Sequence, residues 1–480
     1  MKLAINKGIM LLRSITIGLC AILVPYLAIA QQFVGLAARE YASIQQVPYN
    51  PAWVNGASTG TEVQLFGLSA MAGTNAYSIT RKYLTSGGLG NGSAATENKD
   101  IYKDMRNNKK YAWGNVDLLG PAASFNIKGI HNVGIYTRFR EIARAGNIGK
   151  LEFELMGEML PEYYYVPLDF KNTGFSTHAF AEVGFSYGRE LINDYTNKWR
   201  GGITVKYLMG FCAGSVYTTG TRYVQANEDS LASLAGDITA LFTYNLNPIN
   251  GPTAKIDPAG LTQRAGRGSL GLDIGLQYEY HENANPNEES PYTYSIAASI
   301  TDIGAITYFA DTGSGSYTLY GNLEAIKGFD VREGETSADY VARLVRDSLL
   351  VKTDDPEKFR VGLPTAFRLN ADYNVTPAMN IAVNILLNMR GNTRDIYRAA
   401  YTNYFNITPT FGQRRFKVSI PFTFVGYQTV VLGAIIQSGP FYIGTNSLFS
   451  TLLSKNLKNA DAFMGLMFKL HKDRRNYYTY

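Results

Sequence analysis

Of the four histidines in the chain, only His178 stands in the middle of a patterned segment. Ser176, His178 and Glu182 share one face of an alternating run, so a hydroxyl, an imidazole and a carboxylate lie side by side. Those are the ingredients of nucleophilic hydrolysis, in which a base takes the nucleophile's proton while an acid orients the base. Residues two apart on one strand project nearly parallel, however, and by themselves cannot converge into a triad. A polar network inside the protein is the simpler account. His131 and His281 fall at the ends of other segments, and His471 follows the last one. No His-Glu-x-x-His, paired Cys-x-x-Cys or Walker-type loop is present. Asp354, Asp355 and Glu357 have the oxygens for a calcium ion, but a solvated charge run explains them better. The sequence predicts no catalytic residues, no metal site and no cofactor.

A second set of residues is more informative. Arg138, Arg140, Arg144, Lys206, Arg368 and Lys417 lie on the polar face of segments whose other face is apolar. So do His178, Glu182, Asp273, Glu279 and Asp372. Charges of both signs confined to a narrow interior cost heavily when unpaired. They either pair across a lumen and hold a segment inside it, or they line a water-filled path. Pairing is the favoured reading.

The elements that position these charges are strands. Residues 269–281 alternate strictly: Leu270, Leu272, Ile274, Leu276, Tyr278 and Tyr280 on one face, Ser269, Gly271, Asp273, Gly275, Gln277, Glu279 and His281 on the other. The same pattern recurs over 122–128, 132–144, 175–188, 203–212, 292–301, 367–374, 379–388 and 416–424, and less cleanly over 396–408, 428–437, 440–446 and 461–470. Tight connections at Gly129-Ile130, Thr376-Pro377 and Ser438-Gly439 alternate with long ones near 81–115, 147–174, 213–267 and 305–364. That layout predicts an all-β fold, a transmembrane antiparallel β-barrel of about 14 strands with long extracellular loops and short periplasmic turns. An extra hairpin is allowed within 213–246. Residues 336–350 read as a short amphipathic helix on the barrel rim, with Val341, Leu344, Val345 and Leu349 as its stripe. Residues 151–167, with Tyr163, Tyr164 and Tyr165, read as an ordered outer loop.

The start of the chain supports the same compartment. Lys2, Lys7 and Arg13 precede an apolar core from Ile15 to Leu27, and Ala28-Ile29-Ala30 supplies a cleavage site before Gln31. Residues 1–30 are therefore read as a signal peptide. Three cations and no anions leave with it, which takes the formal charge from +6 to +3, too slight to argue for nucleic acid. Cys212 then has no partner in the chain, so stability must come from somewhere other than disulfides. A closed barrel supplies it, because every strand is hydrogen-bonded on both sides. The load of 34 Tyr and 24 Phe suits a boundary between hydrocarbon and water.

Gln46-Val47-Pro48-Tyr49-Asn50-Pro51-Ala52-Trp53 stands just ahead of the first strand. The Asn-Pro-Ala triplet in that place resembles FadL-type outer-membrane barrels and the PorV-like barrels of the Bacteroidota. Lys206-Tyr207-Leu208-Met209-Gly210, Asp302-Ile303-Gly304, and Gly439-Pro440-Phe441 followed by Asn446 resemble an uncharacterised family within that group. The resemblance implies a barrel whose N-terminal segment, here 31–58, folds inward as a plug containing Asn50, Pro51 and Ala52. The residues agree as far as a turn, since Pro51 fixes its own backbone and extends Asn50. The barrel proper would span 59–472, with a periplasmic tail at 473–480.

Two functions follow as expectations. In the favoured one, the barrel of a Gram-negative outer membrane passes a small, hydrophobic compound through a plug-gated lumen or a lateral opening. In the other, it is a scaffold or accessory that holds an envelope protein, as PorV-like barrels do. Outer-membrane lipid is a partner in both, and nucleic acid in neither.

Overall fold

The computed structural model describes residues 44–54, 61–80, 101–127, 130–155, 161–227, 230–245, 265–282, 292–321, 337–390, 399–413, 416–426, 429–454 and 456–470. The signal peptide at 1–30, the flanks 31–43 and 55–58 of the predicted plug, and the tail at 473–480 lie outside the described residues.

In chain order the strands are β1 (Thr61–Thr74), β2 (Tyr77–Thr80), β3 (Ile101–Lys103), β4 (Lys109–Ile127), β5 (His131–Gly149), β6 (Leu168–Phe170), β7 (Gly174–Asn193) and β8 (Asn197–Thr218). Next come β9 (Thr221–Asn227), β10 (Ser230–Phe242), β11 (Ser269–Tyr280), β12 (Tyr294–Phe309), β13 (Gly315–Gly321), β14 (Leu350–Asp354), β15 (Lys358–Gly362), β16 (Ala366–Thr376) and β17 (Met379–Asn388). The last are β18 (Tyr404–Gln413), β19 (Phe416–Ser419), β20 (Phe422–Val425), β21 (Thr429–Leu432), β22 (Ala434–Ser438), β23 (Phe441–Thr445), β24 (Asn456–Leu457) and β25 (Asn459–Leu470).

Antiparallel pairing runs β1, β4, β5, β7, β8, β11, β12, β16, β17 and β18 without a break. It continues through β19 with β20, β22 with β21, β23 and β25, and β25 returns to β1. The result is a closed antiparallel barrel of 14 strands. Pro421, which has no N–H to give the ladder, separates β19 from β20, and Gly433 separates β21 from β22 in the facing position.

The alternation sorts the side chains as a hydrocarbon surrounding would. Leu118, Phe125, Ile135, Phe185, Val205, Leu276, Ile296, Phe422, Phe424 and Ile443 are exposed on the outer wall. The alternate positions Asp117, Ser124, Glu182, Ser186, Thr204, Lys206, Asp273, Gln277, Asn406 and Thr423 are buried inside. Apolar outside and polar inside is unfavourable in water and favourable in a bilayer. An aromatic band marks the tight-turn end. Trp199 packs on Tyr278 at 4.8 Å and Tyr280 on Tyr294 at 5.1 Å, with Tyr187, Tyr373, Phe411 and Phe441 exposed beside them.

At the other end the sheet outgrows the barrel. The last residues of β8 leave β11 and pair with β10, which pairs with β9 and β13, and β13 pairs with β14. The hairpin allowed within 213–246 is β9–β10. The helix Ser337–Arg346 packs Tyr340, Val341 and Leu344 on Tyr317, Leu319 and Leu350 of this extension, and Val345 faces solvent. Tyr163 and Tyr164 pack against Leu155, Leu168 and Phe170, so the loop they belong to is ordered at that point. The strand expected at 396–408 starts only at Tyr404. Ala399, Ala400 and Tyr401 are drawn inside instead, where the Tyr401 hydroxyl meets Arg140 and Asp302.

Candidate functional site

The interior is stacked in three layers. Nearest the tight turns lies the segment 44–54, all of it buried. Two short 3-10 turns, Ile44–Gln46 and Pro51–Trp53, give it its shape. Asn50 is extended at φ −153°, as the residue before a proline should be, and its Oδ1 accepts the Ala52 N–H at 2.9 Å. Its Nδ2 donates to Leu276 O and Ala298 O, each at 3.4 Å. Ser299 Oγ donates to Tyr49 O at 2.7 Å, and Glu62 Oε2 accepts the Ile44 N–H at 2.8 Å. Tyr49 and Trp53 join Leu119, Ile435, Tyr442 and Phe463 in an apolar cluster.

The wall makes room for this segment with glycine. A Cβ on Gly202 would sit 2.3 Å from the Pro51 carbonyl carbon, and one on Gly275 would sit 2.0 Å from Asn50 Oδ1. On Gly188 and Gly134 it would strike Val54 at 2.5 and 2.8 Å. Four adjacent strands thus give up side chains where the segment presses against them, with its main chain at Gly202 and with the Asn50 and Val54 side chains at the other three.

Above the segment is a layer of buried charge. Arg138 Nε donates to Asp117 Oδ1 at 2.7 Å, and its NH2 also meets Asp117. Arg138 NH1 stands 3.4 Å from Glu182 Oε1. Arg140 bridges Glu182 and Asp302, with NH1 and NH2 at 2.8 and 2.7 Å from the two Asp302 oxygens. Lys206 Nζ lies 2.7 Å from Asp302 Oδ1 and 2.8 Å from Asp273 Oδ2. Arg368 donates to Thr301 Oγ1 at 3.3 Å. The Tyr49 ring is held between two guanidinium groups, Arg138 at 5.3 Å and Arg368 at 5.0 Å. Four cations therefore face four carboxylates.

The third layer, toward the long loops, is apolar: Ile142, Phe180, Leu208, Ile306, Tyr308, Phe359 and Leu386 are all buried there. His178 belongs to this layer. Its ring stacks on Phe180 at 4.5 Å and its Nε2 lies 2.8 Å from the Tyr308 hydroxyl, not against Glu182.

The remaining sequence candidates sit around this stack. Glu279 binds Arg200 at 2.9 Å and Gln277 at 2.9 Å near the tight turns. Asp372 accepts from Tyr292 OH at 2.8 Å and from Asn380 at 2.9 Å. Arg144 and Lys417 are only half-buried, toward opposite ends of the wall. Arg144 joins no ion pair among the described residues.

Asp117, Asp302, Tyr49, Arg200 and Tyr401 take part in these contacts without having been singled out for them. Asp302 is the instructive case. Strict alternation from Ser295, Ser299 and Thr301 would send it to the lipid side. Its backbone turns left-handed at φ +62°, Gly304 follows at +151°, and the register against β11 slips there. The bulge swings the carboxylate inside. A charge on a lipid-facing position two residues before a glycine was the available signal.

The family model for DUF5723 matches residues 51–446, from the inserted turn at Pro51 to the turn before the last strand pair. The chain belongs to this family of unknown function. No curated protein matches it. Among solved structures, the Ralstonia pickettii toluene transporter TbuX aligns over 93% of this chain and 99% of its own, at 9% identity and a TM-score of 0.41. The TodX deltaS2S3 mutant monoaromatic hydrocarbon channel covers 89% and 94%, at 7% identity and TM-score 0.40. A Pseudomonas aeruginosa FadL homologue covers 91% and 94%, at 11% identity and TM-score 0.24.

Proposed function

We propose that this DUF5723 chain is an outer-membrane barrel that passes a small, uncharged or hydrophobic compound, and that residues 31–58 are its plug. Residues 1–30 direct export and are cleaved near Ala30. The observation that carries the reading is how 44–54 is held: by close packing on wall glycines, by five hydrogen bonds to the wall, and by Tyr49 beside two guanidiniums. Such a segment can move as a unit while the hydrogen-bonded wall stays closed. The balanced charge layer gives it a seat, and the apolar layer above offers a compound of low polarity a place outside water.

The test is uptake of a small aromatic hydrocarbon into vesicles holding the purified protein, compared with a variant lacking 44–54. Passage predicts measurable uptake that rises when the segment is removed. No uptake by either protein would refute it.

A second reading, an accessory of an envelope secretion or attachment complex of the PorV-like type in the Bacteroidota, is favoured by one feature. The β9–β10–β13–β14 platform stands clear of the barrel and shows Tyr165 to solvent nearby, at 68% exposure. Gentle purification from the native membrane with mass spectrometry separates the two. A stoichiometric protein partner supports the accessory, and a bound apolar compound supports passage.

A further inference from the structure

Three cations gather around one ring on the outer wall. At the loop end, β12 and β15 pair with Thr307 opposite Arg360, Tyr308 opposite Phe359 and Phe309 opposite Lys358. Tyr308 and Phe359 are buried and stack at 5.8 Å inside the lumen. Thr307, Phe309, Lys358 and Arg360 therefore point the other way, off the outer face. On the neighbouring strand Gly266 bridges to Tyr308, and Arg267 N donates to Thr307 O at 2.8 Å. The Arg267 guanidinium stands 5.4 Å from the centre of the Phe309 ring, and Lys358 Nζ stands 5.8 Å from it. Arg360 follows Lys358 on the same face, two strand residues or about 7 Å along.

All three cations and Phe309 are exposed, and none of the cations joins an ion pair among the described residues. Nor do nearby carboxylates neutralise them. Asp355 is taken by Lys352 at 2.5 Å, Asp311 accepts the Gly313 N–H at 3.1 Å, and Glu357 beside Lys358 pairs with none of the three. Like charges held together without a counter-ion repel, so an anion that sits among them is stabilised.

Their height on the wall decides which anion. A strand tilted by about 40° climbs roughly 2.5 Å per residue, so an apolar band about 25 Å tall takes about ten residues. Counted from Tyr294 in the aromatic band at the tight-turn end, the hydrocarbon ends near Gly304. Leu270 and Ile303, both exposed, are its last apolar side chains here. Arg360 and Lys358 come next, at the depth of the headgroups, and Phe309 has the place of an outer aromatic girdle. Long basic side chains at that depth meet lipid phosphates.

We propose that Arg267, Lys358 and Arg360 form a binding site for the phosphate of an outer-leaflet lipid headgroup, with the acyl chains of that lipid lying on Leu270 and Ile303. The site is outside the barrel and does not depend on what the lumen passes.

The probe is diphosphoryl lipid A, titrated into the full-length protein in dodecyl maltoside micelles and counted by native mass spectrometry. The same lipid stripped of phosphate by a phosphatase is the control, and it should bind much more weakly. Each of Arg267→Gln, Lys358→Gln and Arg360→Gln should weaken binding about fivefold, and the three together roughly a hundredfold. Exchanging charge for charge, with Arg267→Lys, Lys358→Arg and Arg360→Lys, should keep most of it. Arg106→Gln, Arg222→Gln and Arg346→Gln together change the net charge equally at exposed, acid-paired positions and should leave it unchanged. Full binding by the triple glutamine variant, an equal loss in the acid-paired set, or equal binding of the stripped lipid would each overturn the proposal. Displacement of the lipid by excess inorganic phosphate would overturn it too, making this a site for a free anion. Barrel integrity is checked by the shift in electrophoretic mobility between unheated and heated samples. If the triple variant does not fold, the three single variants decide.

Discussion

Gly202→Ala should dislodge the inserted segment while sparing the barrel. The new Cβ would lie 2.3 Å from the Pro51 carbonyl carbon and 2.4 Å from both Pro51 O and Ala52 N, all main-chain atoms with no rotamer to turn aside. Ordinary carbon contacts need about 3.5 Å, so the segment must retreat by roughly 1 Å or more. Overpacking of this kind costs about 1–3 kcal/mol. The wall bonds at this level are weak, two of them Asn50 contacts at 3.4 Å, so they oppose the shift little. The displaced population should rise about 5- to 150-fold. The wall keeps its ladder, because Gly202 faces the lumen and its backbone bonds to β7 and β11 are untouched. The assay is labelling of an Ala52→Cys background by a water-soluble maleimide, since Ala52 is 2% exposed. Labelling should accelerate in Gly202→Ala and not in Gly220→Ala, where nothing lies within 4 Å of the added methyl. Unchanged labelling in a properly folded Gly202→Ala barrel would refute the argument that main chain on glycine seats the segment.

Three further outcomes are expected. Asp302→Ala leaves Arg140 and Lys206 each short of a carboxylate at 2.7–2.8 Å and should cost about 3–5 kcal/mol, read as a fall in the temperature at which the barrel loses its compact electrophoretic form. Phe185→Arg, at a position 57% exposed on the outer wall, should cost about 2–4 kcal/mol in a urea titration of folding into bilayers, and an unchanged midpoint would mean that Phe185 does not face lipid. At the loop end, the Arg106 guanidinium beside Asp104, aided by Lys458, holds that carboxyl well below the usual carboxylate range. A depressed pKa means stability fully present above about pH 4 and lost only as the pH falls further. The protection factors of residues 101–110, which remove the intrinsic pH dependence of exchange, should therefore stay high at pH 5 and fall in stronger acid, and Asp104→Asn should abolish that step.

The legible part of this protein was the part governed by a period of two. Leu270 to His281 show why: each neighbour pair puts one residue in hydrocarbon and one in the lumen, so a local pattern reports a global surface. Connection lengths added the handedness of the ends, tight near Ser438-Gly439 and long near 213–267. From those two signals come the closed barrel, its apolar belt and the inward set that includes Arg138, Arg140, Glu182, Lys206 and Asp273.

What the tertiary structure alone decided lies where the period breaks or where distant strands meet. Asp302 turns inward through one left-handed residue, a reversal that alternation assigns to the wrong face. Tyr401 leaves a segment that looked like strand because Arg140, 261 residues away in the chain, offers its hydroxyl a better partner. The pairing of Arg140 with Asp302 spans 162 residues, and no local pattern encodes it. Gly134, Gly188, Gly202 and Gly275 read singly as strand glycines. Only closure of the barrel sets them around one turn, because the space each leaves is defined by a segment that comes from elsewhere in the chain.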